Sequence, residues 1–252
     1  PYDVGRKAAA QNLADVAAMG AVPTALLIGL ATPPDLPAFW AERFADGLSD
    51  ECAIVDAGVV GGDVVRSDLL VVAVTALGDL QGRAPILRSG AQVGDVVAIA
   101  GRLGWAAAGL AALRKGFRTP RAVVDAHRRP QPPYSAGPAA AIAGAHAMID
   151  VSDGLVADLA HVAVASKVVV AIARAALQVP EPVAEVAAAL GVDPLDWVLS
   201  GGEDHALAAT FPPSETVPEG WRVIGEVTTS DDEGRVLVDG TPYEGGGFDH
   251  FR

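Results

Sequence analysis

The segment AMIDVSDGLVADLAH, residues 147–161, constrains the fold more than any other. Apolar residues dominate it, and the preceding GPAAAIAGAHAM is almost wholly apolar or small, so both belong in an interior. IDVSDG reads as a strand end or turn, and Gly154 opens a helix that continues past His161. Asp150 and Asp153 sit around that turn. Carboxylates at the entrance to a buried helix either cap the backbone or hold something charged.

The same strand, turn and helix order recurs along the chain. Residues 5–19 read as an alanine-rich helix closing at Gly20, PTALLIGLAT as a strand and PPDLPAFWAERFADGLSD as an amphipathic helix. ECAIVDAGVVGGD reads as a strand run with Cys52 at its start, and SDLLVVAVTALGD as another strand. LQGRAPILRSGAQVGD is polar and glycine-bearing and marks a boundary. VVAIAGRLGWAAAGLAALRKG follows as strand, tight turn and helix, and RRPQPPYSAGP as a proline-rich loop. AAAIAGAHAM reads as a helix, and PEPVAEVAAALGVDPLDWVL as two short helices. HALAATF, WRVIGEVT and RVLVDG read as strands. The pattern predicts an α/β or α+β protein with mixed sheets covered by helices, divided into residues 1–80 and 81–252.

Composition narrows the function. Of 252 residues, 51% are hydrophobic but only 5% aromatic, so packing is largely small against small. A net charge of −13 argues against a general nucleic-acid surface, yet carboxylates bind phosphates through a bridging cation. Cys52, the single cysteine, excludes an internal disulfide framework and a cysteine-rich zinc site. LLVVAVTAL is too short to span a bilayer, so no membrane association is expected and the cytoplasm is the expected compartment. The opening PYDVGRKAAA has no initiator Met and enters a helix at once. The expectation is that N-terminal sequence is missing, part of the active site with it.

Carboxylates recur at turns. Asp63 follows a glycine pair in GGDVVRS; Glu203 and Asp204 follow Gly201 and Gly202 in LSGGEDHAL. Magnesium prefers hard oxygen ligands shared with phosphates, and convergent loop carboxylates would supply them. Each site also has a plain reading: a helix cap at Ser152 or Asp153, an Asx-turn at Asp63, a solvated loop at Glu203. Asn12 and Asp15, three apart on one helix face, are either enclosed or on a solvent side. Gly101 and Gly104 form either a phosphate-binding turn at a helix start or a tight connection. Arg66 and Arg88 could each grip a phosphate or pair with surface acids.

Taken together, NLADVAAMGA, GGDVVRS, RSGAQVGD, GRLG, IDVSDGLVADL, LSGGEDHAL and the terminal FDHF resemble the thiamine-monophosphate kinases. These belong to the wider group containing aminoimidazole ribonucleotide synthetase and selenophosphate synthetase, and the resemblance spans essentially the whole chain. It implies a two-domain ATP-binding fold, usually a homodimer paired through its N-terminal domains, with a composite site. The implied activity is ATP-dependent, magnesium-assisted phosphorylation of thiamine monophosphate to thiamine diphosphate. It implies Asp15, Asp63, Asp150 and Asp153 as metal ligands, with Asp63, Asp150 and Asp153 carrying the chemistry. Asn12, Asp15, Arg88, Gly101 and Ser152 fall on the nucleotide side, and Glu203, Asp204 and Phe248 on the substrate side. The alternatives are another ATP-using member of the group, such as an aminoimidazole ribonucleotide synthetase, or a non-catalytic nucleotide-binding protein.

The sequence departs from the pattern in places. An earlier GDDxA block and another acidic strand end do not occur in these residues. Ala14 stands where Ser is usual, His205 where Tyr is common, and Tyr134 where Arg is frequent, changes expected to bear on substrate fit. In FDHFR, Phe248 either packs into the C-terminal domain or closes over the cationic thiazolium of the substrate.

Overall fold

The computed structural model describes residues 1–213, 217–230, 233–243 and 245. The chain opens with α1 (Tyr2–Ala18), β1 (Val22–Thr32), α2 (Ala38–Cys52), β2 (Gly58–Arg66) and β3 (Val71–Asp79). β1 is the centre of a three-stranded sheet, parallel to β2 and antiparallel to β3. Alternate residues Leu26, Ile28 and Leu30 point to one face and pack with Leu13, Phe44 and Leu48 of the two helices.

Cys52 lies at the end of α2 instead of starting a strand. The helical spacing of Phe44, Gly47, Leu48, Glu51 and Cys52 continues the buried stripe to that point, and β2 begins six residues later. Burying Glu51 needs partners, and it has them. Arg6 Nε donates to one carboxylate oxygen and Tyr134 Oη donates to the other at 2.7 Å. Tyr134 is itself buried, its hydroxyl pKa pushed well above the ordinary range by burial and then by Glu51. This tyrosine ties the proline-rich loop to α2.

The second sheet holds β4 (Val96–Ala100), β5 (Ala147–Val151), β6 (Val168–Ile172), β7 (Ala206–Phe211), β8 (Trp221–Thr229), β9 (Arg235–Val238) and β10 (Thr241–Pro242). Their order is β10-β9-β6-β8-β4-β7-β5. Its helices are α3 (Trp105–Arg114), α4 (Arg121–Arg128), α5 (Ala136–Ile142), α6 (Leu155–Ser166), α7 (Glu181–Leu190) and α8 (Pro194–Ser200). Both faces are covered: Val97 and Ile99 of β4 pack toward α6 and α8, while Ala98 and Ala100 pack toward α5 and the end of α1. This is the mixed-sheet, helix-covered architecture anticipated from the sequence.

Three segments were not legible as they fold. AAAIAGAHAM divides, because Gly144 takes a φ of 80° that ends the helical run, and Ala147 already belongs to β5. The strand β6 and the helix α4 were unassigned. Lys167, at φ 56°, turns the chain out of α6 directly into VVVAI with no glycine or proline to mark the break.

α1 and α2 cross so closely that each presents a glycine to the other. A Cβ on Gly5 would overlap the Phe44 carbonyl oxygen, and one on Gly47 the Tyr2 carbonyl oxygen. Helix propensity alone gives Gly47→Ala a gain of about 1 kcal/mol. The overlap reverses the sign: G47A is expected to lose about 1–3 kcal/mol in urea denaturation.

Candidate active site

Sheet register brings three turns to one end of the second sheet. β4 and β5 both run antiparallel to β7. Ala100 pairs with Leu207 and Val151 with Ala206, so the turn leaving β4, the turn leaving β5 and the loop entering β7 lie side by side. Backbone contacts then join the last two: Glu203 N–H donates to Ser152 C=O at 2.7 Å, and His205 N–H to Val151 C=O at 2.9 Å. The approach requires glycine, since a Cβ at 202 would meet the Ser152 carbonyl oxygen at 2.5 Å.

Two buried aspartates hold these turns open as helix starts. Asp204, 7% exposed, accepts from Gly104 N–H and from Ala106 N–H, the latter at 2.8 Å, at the beginning of α3. Asp158, 3% exposed, accepts from Asp153 N–H and Gly154 N–H, each at 3.0 Å, at the beginning of α6. Carboxylates so placed complement the helix N-terminus. Burial nevertheless dominates both, pushing each pKa up to about 7 against the opposing pull of the amides. Asp204, expected at the substrate, thus spends both oxygens on the backbone beneath the turn. Asp158 received no functional reading from sequence, although its i+4 spacing from Gly154 was visible.

Between the turns, α1 and α3 lies a cleft of about 580 Å³. Ser152, Asp153, Gly201, Gly202, Glu203 and His205 line one side, Ala106, Ala107, Leu110 and Arg114 of α3 another, with Gln11 and Trp197 completing it. Glu203 adopts φ 67° and faces the cleft; Lys7 Nζ lies 3.0 Å from its carboxylate and also donates to His127 C=O at 3.0 Å. Gln11, Lys7, Arg114 and Trp197 were not singled out from sequence, because none belongs to a local motif. Gly101, at φ 95°, makes the turn that leaves β4.

Asp150 is buried, with its Oδ2 3.1 Å from His205 Nδ1. Asp15 of α1 is exposed, yet crowded by protein. Burial first, and Asp150 second, raise its pKa to about 6, while His205 and Arg88 pull it down. Asp15, Asp150, His205 and Arg88 therefore share one electrostatic neighbourhood. Asn12 does not reach it by any hydrogen bond described: its amide donates back to Ala8 C=O at 2.9 Å, beside a separate hollow lined by Lys7, Val72 and Val74.

Asp63 stands apart, exposed on β2, its carboxylate accepting from Val64 N–H at 2.9 Å. Among the described residues no three His, Cys, Asp or Glu side chains stand close enough to hold a metal ion. The four expected metal ligands are thus not gathered into one cluster within the chain. Phe248 and the FDHF segment lie outside the described residues.

Comparison with known proteins fits this geometry. Residues 1–80 match the N-terminal domain of the AIR synthase related proteins, and residues 92–238 their C-terminal domain. The thiamine-monophosphate kinase of Mycobacterium tuberculosis strain H37Rv is 52% identical over 246 residues, which is 97% of this chain and 73% of that protein. The chain belongs to the thiamine-monophosphate kinase family. The thiamine-monophosphate kinase of Corynebacterium glutamicum is 40% identical over 95% of this chain and 73% of its own length. The solved structure of AaThiL complexed with AMPPCP and TMP superposes with a TM-score of 0.92 at 34% identity, covering all of this chain and 81% of that one. Membership in the thiamine-monophosphate kinase family favours the kinase reading over the synthetase and the non-catalytic protein.

The buried aspartates generate a pH dependence. Asp158 stays protonated in the fold up to about 7, whereas its ordinary value is 3.8. Stability from this group is fully present in acid and falls as pH rises from about 4 to about 7. Asp158→Asn removes the titrating group while keeping an acceptor oxygen. Urea unfolding at pH 5 and pH 8 should show a pH-dependent loss smaller by about 1–4 kcal/mol in D158N than in the parent.

Proposed function

We propose that this protein phosphorylates thiamine monophosphate to thiamine diphosphate at the expense of ATP, with the reacting groups in the cleft between the SDG and GGED turns. One observation carries the reading: over its full length the chain superposes on a kinase structure holding AMPPCP and TMP. The acceptor is a phosphate oxygen, deprotonated at neutral pH. It forms a bond to the γ-phosphorus of ATP as the bond from that phosphorus to the β,γ-bridging oxygen breaks, releasing ADP. No protein base is needed, so the residues have to align two anions and offset their charge.

The donor set suits Mg²⁺. Asp15 and Asp150 are hard oxygen donors, and Asp150 raises the proton affinity of Asp15, a condition a divalent cation relieves. The lack of a three-residue cluster among the described residues agrees with magnesium's habit of using one or two carboxylates and completing its shell with phosphates and water. Asp150 with Asp15, or with Asp153, would hold each ion, which when bound neutralises phosphate charge. Arg88 and the turn at Gly101 and Ser152 face the nucleotide phosphates, with Asn12 beyond them, and Glu203 faces the acceptor. Asp204 supports this site from beneath.

We read the protein as a homodimer paired through residues 1–80, with residues 81–252 as the second domain. The register of the small sheet supports pairing: Leu27, Val65, Val71 and Leu77 share the face opposite the helices, each 39–50% exposed. An apolar sheet face of that kind favours a partner. Asp63 lies on the same face, opposite Gly29, so dimerisation would be its route to a composite site. No helix among the described residues is long and apolar enough to cross a membrane, and Cys52 is a buried free thiol, in keeping with a cytoplasmic enzyme.

Formation of thiamine diphosphate from ATP and thiamine monophosphate, followed by chromatography with Mg²⁺ present, tests the activity; no product would refute it. Asp153→Asn should lower kcat by on the order of 10²-fold with an unchanged melting temperature. Leu27→Lys should shift sedimentation from dimer to monomer, and an unshifted dimer would move the interface elsewhere.

A further inference from the structure

His205 has features that its place in a β-strand entrance does not require. Its side chain is 4% exposed, and its backbone adopts φ 51°, a conformation rare for any residue with a Cβ. The chain accepts that conformation because the N–H of His205 bonds Val151 while Glu203, also left-handed, bonds Ser152. The outcome is an imidazole turned onto Asp150, with Nδ1 3.1 Å from Oδ2. Nδ1 lies within hydrogen-bonding distance of that oxygen, and in the Nδ1–H tautomer it donates to it. Nε2 is buried and meets no hydrogen-bond partner among the described residues.

We infer that His205 is a positioning residue for the kinase reaction: its Nδ1–H fixes Asp150 through Oδ2 and so orients Oδ1 for the divalent cation. The inference rests on the reading of Asp150 as a cation ligand. A carboxylate on a strand end otherwise rotates about χ2 between equivalent orientations, and a single donor from a rigid ring selects one. The residue is held at two points, its ring by the Asp150 contact at Nδ1 and its backbone by the hydrogen bond to Val151. A tyrosine at this position has no donor at the place of Nδ1, so the histidine orients Asp150 in a way a tyrosine does not.

The test compares H205N, H205L and D150N in the intact protein. Asparagine places an amide N–H near the position of Nδ1 and tolerates the left-handed backbone; leucine has the same branching without a donor. Mn²⁺ binding is followed by electron paramagnetic resonance, with Mn²⁺ alone and with Mn²⁺ plus a non-hydrolysable ATP analogue, alongside thermal melting. H205N is expected to bind Mn²⁺ within about 3-fold of the parent and H205L about 10- to 100-fold more weakly. If H205L does not fold, H205Q replaces it, its amide lying one bond too far, and the same loss is expected. Mn²⁺ affinity unchanged in H205L or H205Q while D150N binds weakly would overturn the role of His205. Equal losses in H205N and H205L would also overturn it, since the donor would then be irrelevant. Unchanged affinity in D150N would instead remove Asp150 from the cation site, a failure of the underlying reading.

Discussion

The cleft depends on one backbone contact, the hydrogen bond from Glu203 N–H to Ser152 C=O. It locks the loop entering β7 against the turn leaving β5, and the β5–β7 ladder extends it. With the backbones so close, the acidic side chains divide into two groups. Asp158 and Asp204 turn inward and accept helix-start amides. Asp153 and Glu203 line the cleft, while Asp150 lies buried beside it against His205. The inward pair makes the geometry of the outward group possible. Without them, the first amides of α3 and α6 would compete for whatever carboxylate was nearest.

α1 brings the remaining chemistry from outside that sheet. Its buried stripe of Ala9, Leu13 and Ala17 packs under the small sheet, and Ala18 reaches the core of the large one. Small residues are what allow one helix to serve both: Gly137 of α5 lies directly against the Ala17 backbone. From this helix Lys7 reaches Glu203, Gln11 lines the cleft and Asp15 feels the charge of Asp150. The strongly acidic chain thereby sets two cations among its carboxylates here, Lys7 against Glu203 and Arg114 on the cleft wall.

Much of this was legible in the sequence because glycine and alternation leave strong local traces. The strands at 22–32, 96–100 and 206–211 and the turns at Gly101, Gly154 and Gly201 follow from apolar runs and from residues suited to tight turns. What escaped were roles set by contacts distant in sequence. Glu203 and Asp204 are neighbours with opposite fates, one in the cleft and one bonded to residues 104 and 106. Left-handed residues at 203 and 205, on either side of Asp204, break the alternation that would have told them apart. Tyr134 read as a departure in a proline-rich loop, and nothing local pointed to its bond with the buried Glu51, 83 positions away.

The seam between α1 and α2 has an evolutionary corollary. When a side chain blocks a neighbour, trimming that side chain restores the fit, so two substitutions can drift together. At Gly5 and Gly47 the obstructing atoms are the carbonyl oxygens of Phe44 and Tyr2. Every amino acid carries that oxygen, so no exchange at position 44 or 2 can make room. Each glycine is therefore held independently, and the crossing of these two helices should change more slowly along lineages than the side chains packed around it.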